Sequence, residues 1–177
     1  MSGQQRQTTV PALLHLFCEV SGYCLRKATE ELDAEARLHS LGMSVGARVL
    51  DTLYFRDKPF RRETKILSLL QFIANSAWRQ LFGHTAELSV ANKGDEYYIL
   101  DRNLVLNRYM SPPPDASHDQ FPNCGGAFAA GLVEGMFKRA EFPKSVYAVY
   151  TNEIITDDWV SVTLVIKNPP PPPNPQL

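Results

Sequence analysis

The apolar residues of this chain change their spacing once, at Gly83. Upstream they recur at intervals of three and four residues, the period of an α-helix. Downstream, apart from one further helical stretch, they alternate singly, the period of a β-strand. Helices therefore come first, followed by a hairpin, one more helix and two strands. This order is not a βαβ alternation. It predicts an α+β fold with helices layered on one face of an antiparallel sheet.

Within the helical half, Thr9 precedes Pro11, a helix-start signal, and Leu13, Leu14, Phe17, Val20, Cys24 and Leu25 follow at helical spacing. A helix is predicted over 10–27, behind a polar arm (1–9) expected to be disordered. Residues 29–40 are charged, with Asp33 and Arg37 at i,i+4, and read as a thin surface helix or a helical linker. A separate helix is predicted over 42–57, with Val45, Val49, Leu50 and Leu53 as its stripe. Gly42 and Gly46 share a face of it, either for close backbone approach or because Gly42 ends the preceding segment. The stretch 62–83 is apolar apart from a narrow stripe of Ser68, Gln71, Asn75 and Arg79. Its apolar face is wider than the about 100° of an ordinary surface helix, so it is central to the fold or covered by a neighbour.

Past Gly83, strands are predicted over 87–91 and 96–101, joined by Asn92-Lys93-Gly94-Asp95, which has hairpin-turn chemistry. Residues 103–110 fit a strand or a short helix, and 111–122 form a proline-rich loop. A helix over 124–141 carries Ala127, Gly131 and Gly135 in one row, expected to pack closely against the sheet. Phe142-Pro143 ends it. Strands over 145–150 and 159–167 complete the domain. In the second, Val160, Val162, Leu164 and Ile166 face one way and Ser161 and Thr163 the other, as in a half-covered sheet. One domain over 10–167 is expected, with an extended proline-rich tail over 168–177.

Little in the sequence suggests reaction chemistry. The 177 residues carry a formal net charge of −1, so no overall field attracts nucleic acid. Lys58, Arg61, Arg62 and Lys65 read as a solvated helix start. The three cysteines, Cys18, Cys24 and Cys124, form no CxxC pair, which favours a reducing compartment over a disulfide scaffold. No signal-peptide pattern is expected, and no apolar run reaches the roughly 18 residues of a membrane span. His15 and Cys18 stand at i,i+3, but no further ligands complete a metal site. Cys124 precedes Gly125-Gly126 at a helix start, a position that can lower a thiol pKa, yet no base accompanies it. Gly42-Met43-Ser44-Val45-Gly46 lacks the lysine and preceding strand of a phosphate loop. No catalytic, cofactor or metal site is therefore assigned. Surplus apolar helix surface points to protein partners or a lipid-like ligand. The candidate interface residues are Leu13, Phe17, Val20, Gly42, Val45, Gly46, Val49 and Leu53. A second assignment stands for the same residues: the chain's own core.

The segments Gly42-Met43-Ser44-Val45-Gly46-Ala47-Arg48-Val49-Leu50-Asp51 and Phe60-Arg61-Arg62-Glu63-Thr64-Lys65-Ile66-Leu67 resemble signatures of the Bet-type small subunits of TRAPP, the transport protein particle. The resemblance continues through Trp78, Leu81, Phe82 and Gly83, Tyr97-Tyr98-Ile99, residues 107–111, Asn123-Cys124, Phe128, Ala130-Gly131, Val133-Glu134, Phe142-Pro143 and Val146. It covers about residues 13–166 and is nearer the fifth small subunit than its acylated paralogue. It implies the Bet-type α+β fold, with a four-stranded antiparallel sheet. It also implies a heterodimer with a paralogous small subunit inside a larger core. That assembly would promote nucleotide exchange on a Rab-type GTPase and tether vesicles between endoplasmic reticulum and Golgi. The location implied is cytoplasmic, peripheral at cis-Golgi and endoplasmic reticulum membranes, with this chain a non-catalytic scaffold. The fold relatives include vinyl-reductase-type domains that hold a small molecule, which implies a ligand or lipid sensor as the alternative. Where the acylated paralogue carries its cysteine, this chain has Arg56-Asp57-Lys58-Pro59, so acylation is not carried over. The proline tail and the loop 111–122 also depart from the family pattern.

Overall fold

The computed structural model describes residues 5–28, 33–56, 63–91, 96–110, 122–150 and 161–169, with side chains of the first segment from residue 12 onward. The expected turn at 92–95, the loop 111–121, Val160, the tail from 170 and the basic residues Lys58, Arg61 and Arg62 lie outside them. Helices α1 (Gln5–Arg26) and α2 (Ala34–Arg56) come first, followed by α3 (Ile66–Phe72), a π turn (Ile73–Ala77) and α4 (Trp78–Phe82). Strands β1 (Glu87–Val90) and β2 (Tyr97–Asp101), helix α5 (Cys124–Arg139), and strands β3 (Ser145–Tyr150) and β4 (Val162–Lys167) complete the order.

The sheet has four strands in the order β1-β2-β4-β3, every neighbouring pair antiparallel. Tyr97, Ile99 and Asp101 of β2, Val162, Leu164 and Ile166 of β4 and Val146 of β3 are buried on the helix-facing side. The α+β expectation is met. On the opposite side Val165 is also buried, flanked in register by Tyr98 and Tyr147. That face is less polar than Ser161 and Thr163 suggested.

Helix α5 packs on β3 and β4, and α2 packs on α5. Here the expectation for the small-residue row fails: Gly131 and Gly135 face α2, not the sheet. A Cβ on Gly131 would overlap the carbonyl oxygen of His39, and one on Gly135 that of Met43. Reciprocally, a Cβ on Gly42 or Gly46 would strike the carbonyls of Phe128 or Leu132. Both sets of contacts advance together along the two helices, so these run in the same direction with their backbones touching. Glycine is required because any side chain would occupy the other helix's backbone. Gly42 therefore sits mid-helix, and the charged segment and the Gly42 helix, expected as separate, run together in α2 over Ala34–Arg56.

The stretch expected as a single helix over 62–83 starts at Ile66 and contains the π turn, whose flanking residues all keep right-handed helical angles. In the π turn the Trp78 N–H bonds back to the Ile73 carbonyl, five residues earlier. The Ala74 carbonyl is thereby released and accepts the Ala86 N–H at 3.0 Å. This bond ties the start of β1 to the rod. Gly83, with φ 87°, ends α4 as expected. Leu69, Leu70, Ile73, Ala77 and Trp78 are at most 1% exposed, so the wide apolar face is largely absorbed by this chain.

Two further expectations shift. Helix α1 begins at Gln5, so residues 5–9 are helical rather than a disordered arm. Residues 103–110 are neither strand nor helix but consecutive turns, closed by Asn107 N–H to Leu104 O and Met110 N–H to Asn107 O, each 3.0 Å. They bury Leu104 and Leu106. Helix α5 ends where Phe142 N–H reaches the Phe137 carbonyl and Glu141 N–H the Lys138 carbonyl, a Schellman closure with Glu141 at φ 65° where glycine is usual.

Candidate interaction surface

Helix α1 carries two apolar stripes side by side. Leu14, Phe17, Ser21 and Cys24 recur at three- and four-residue steps and are all buried. One position earlier in each step stand Leu13, Leu16, Val20 and Tyr23. Leu13 is 49% exposed, Leu16 62% and Tyr23 56%, while Val20 is half-buried. Successive residues lie about 100° apart around a helix, so these stripes are neighbouring faces, one spent on the core and one facing out.

The eight candidate residues divide accordingly. Phe17 is in the core, its ring 5.4 Å from that of Phe128 on α5. Gly42 and Gly46 lie under α5, and Leu53 is buried. Val49 is half-buried against the core and Val45 half-buried on the same flank of α2. Leu13 and Val20 fall on the outward stripe. Leu16 and Tyr23, on the same outward stripe, were not among the candidates. Their signal was present, since 13, 16, 20 and 23 keep helical spacing, but it merges with the core stripe when the helix is read as having one apolar face.

Several buried and half-buried polar groups hold layers together. Asp101, 3% exposed, accepts from Trp78 Nε1–H and faces His84 Nε2, each at 2.8 Å, and accepts the Asn103 N–H at 2.9 Å. His39 of α2 donates from Nε2 to the Val146 carbonyl at 3.0 Å, and Glu134 of α5 accepts the Val146 N–H at 2.7 Å. The two side chains approach each other to 3.5 Å. Val146 thus has both backbone groups satisfied from the helices, as if by a fifth strand. This caps part of an otherwise open sheet edge. The Glu134 bond foremost lifts the His39 pKa above 6.5 against the opposing effect of burial. Asn123 caps α5 by accepting the Gly126 N–H at 2.9 Å, while its own N–H donates to Glu35 at 2.6 Å.

Burial pushes the Cys124 thiol up to about 12, so it stays protonated at neutral pH despite its place at the start of α5. His15 is exposed and Cys18 half-buried; among the described residues no group of three His, Cys, Asp or Glu could hold a metal ion. No helix among them is long and apolar enough to cross a membrane.

The model for the transport protein particle (TRAPP) component family matches residues 13–165. The chain is 40% identical over 144 residues to trafficking protein particle complex subunit 5 of Gallus gallus, covering 80% of this chain and 74% of that protein. It is 36% identical over 150 residues to subunit 5 of Dictyostelium discoideum, covering 84% and 78%. In fold it is similar to a crystal structure of subunit 3 from Naegleria fowleri covalently bound to palmitic acid. That likeness has a TM-score of 0.75 at 14% identity and covers 93% of this chain and 97% of the other. By the length of the family match and the identity to its subunit 5 relatives, the chain belongs to the TRAPP component family.

Proposed function

We propose that this chain is a non-catalytic scaffold subunit of a TRAPP vesicle-tethering complex. The complex acts as guanine-nucleotide exchange factor for a Rab-type GTPase in transport between endoplasmic reticulum and Golgi. The observation that carries the scaffold reading is the outward stripe of α1. A helix that has already buried one apolar face presents Leu13, Leu16 and Tyr23 of a second one to solvent, with Val20 of the same stripe packed partly against the core. Such a face is stabilised when a partner covers it. In this reading the partner is a paralogous small TRAPP subunit. Exchange activity belongs to the assembled core, and the site of action is the cytoplasmic surface of cis-Golgi and endoplasmic reticulum membranes, reached through the complex.

The non-catalytic part of the reading is supported by Asp101 and Glu134, whose carboxylates are engaged in structural bonds, and by the protonated Cys124 thiol. Against a small-ligand sensor stands the filling between helices and sheet. Trp78, Phe137, Ile99 and Leu164 are each at most 1% exposed and occupy that space with side chains.

Co-expression with the other small subunits tests the scaffold reading. Wild-type chain should co-purify with a paralogous subunit in near-equal amount, and the reconstituted core should accelerate nucleotide release from its GTPase only when this chain is included. A chain that remains a monomer beside those subunits, or a core whose exchange rate does not depend on it, would refute the proposal.

A further inference from the structure

The narrow polar stripe of the π-turn rod opens onto a groove of about 280 Å³ between that rod and the last turns of α2. Leu53 and Arg56 line it from α2, and Asn75, Ser76, Arg79 and Gln80 from the rod. The four rod residues share a face by i,i+3 and i,i+4 spacing. All of the polar lining residues are exposed. Apart from Leu53, every contributor is cationic or neutral and polar. No carboxylate lines the groove, and among the described residues neither arginine makes an ion pair. Elsewhere, Arg102 pairs with Glu87 at 3.2 Å and Arg139 with Asp51 at 2.9 Å.

From this lining we infer that the groove is a docking site for an acidic segment of a partner protein, whose aspartate or glutamate side chains lie between Arg56 and Arg79. Two guanidinium groups without counter-charge among the described residues line one concavity, and a carboxylate is the group that guanidinium donors fit best. The Arg56 side chain is already held in place. With the Gln80 amide oxygen turned toward Arg56, that oxygen accepts from both terminal nitrogens of the guanidinium, Nη2 at 3.1 Å. Holding the side chain in advance lowers the ordering cost of binding. Asn75 and Ser76 add hydrogen-bonding groups beside Arg79, set there by the π turn, a helix irregularity frequent at functional sites. The groove, about 280 Å³, is at the small end for small-molecule pockets. Its exposed cationic lining suits carboxylates presented by an extended segment. The site is separate from the α1 stripe, and neither inference depends on the other.

The experiment uses the full chain and a fluorescein-labelled decapeptide of alternating Glu and Ser, followed by anisotropy at low salt, with a Gln/Ser decapeptide as the uncharged probe. The acidic peptide should bind, the neutral one should not, and R79E and R56E should each weaken binding by about tenfold or more. R48E makes the same charge change on α2 away from the groove and should stay within about twofold of wild type if the site is local. Thermal melts identify any variant that fails to fold, and R79Q, which removes the charge alone, then replaces R79E. Equal loss in R48E, equal binding of the neutral peptide, no binding by wild type, or binding only to phosphatidylserine vesicles would each overturn the inference.

Discussion

The backbone carbonyl of Met43 lies where a side chain on Gly135 would have to stand, with its carbonyl carbon 2.8 Å from the position of a Cβ. The atom in the way is backbone on a long helix, so it cannot swing aside. Gly131 meets His39, and Gly46 meets Leu132, in the same manner. The α2–α5 pair is thus built on glycines used reciprocally, and it places the helix layer over the sheet.

Alanine at Gly131 or Gly135 should accordingly destabilise the chain by about 1–3 kcal/mol, the cost of overpacking a close-packed contact. Alanine at Gly22 of α1 should have the opposite sign. A Cβ there meets only the flexible end of Arg26 at 3.3 Å, and alanine is favoured over glycine in a helix by about 1 kcal/mol. Urea unfolding of the three variants measures both signs. Tolerance of G131A and G135A would show that the helices separate readily.

The edge cap makes stability depend on pH. Because the His39 pKa is raised above 6.5, its contribution is fully present below that value and is lost as pH rises through the folded pKa. Burial raises the Glu134 pKa, but the bonds from His39 and the Val146 N–H outweigh it and leave it below 4.5. The Glu134 contribution is present above 4.5 and is lost as pH falls through the folded value. The pair is therefore at full strength between 4.5 and 6.5. In E134Q, His39 should titrate at a lower pH by NMR, and the decline in stability above pH 6.5 should flatten. An unchanged His39 titration would remove Glu134 as its cause.

On α1, adjacent residues should behave differently. L16E with Y23E should abolish co-purification with a paralogous subunit while leaving the melting temperature of the lone chain unchanged, because both positions are exposed. F17A should instead lower the stability of the lone chain by about 3 kcal/mol, through the cavity left beside Phe128. A complex that survived L16E/Y23E would displace the interface from this face.

Removing Asp101 leaves Trp78 Nε1–H and His84 without their shared acceptor. D101A should cost about 3 kcal/mol, the lower end for breaking a buried charged group's partnerships. It should also shift the emission of Trp78, itself 1% exposed. Trp159 lies outside the described residues, so W78F supplies the background spectrum. Unaltered stability in D101A would mean that water replaces the carboxylate.

Much of this was legible beforehand because it is local. The change of period at Gly83 marks the end of α4, where φ is 87°. The alternation in β4 correctly groups Val162, Leu164 and Ile166 on one face, the buried one. The irregular stretch 103–110 was ambiguous because Leu104 and Leu106 are held by turns, which have no periodic signature. The charged and the glycine-bearing halves of α2 read as separate segments because glycine in a helix resembles a terminus until its neighbour is known. The candidate interface was only partly legible, since Leu13 and Phe17 share the spacing of one helix but lie on different faces of the folded chain.

Composition and periodicity alone determined the element order, the antiparallel sheet and the excess of apolar helix surface, because each follows from how consecutive residues project from a helix or a strand. Tertiary structure decided which glycine meets which carbonyl, that Val146 is completed by His39 and Glu134, and which apolar stripe of α1 stays outside the core. Most of those outcomes depend on groups far apart in the chain, as with His39 and Val146, 107 residues from each other. Their approach is set by packing the whole core, which no local stretch of sequence encodes.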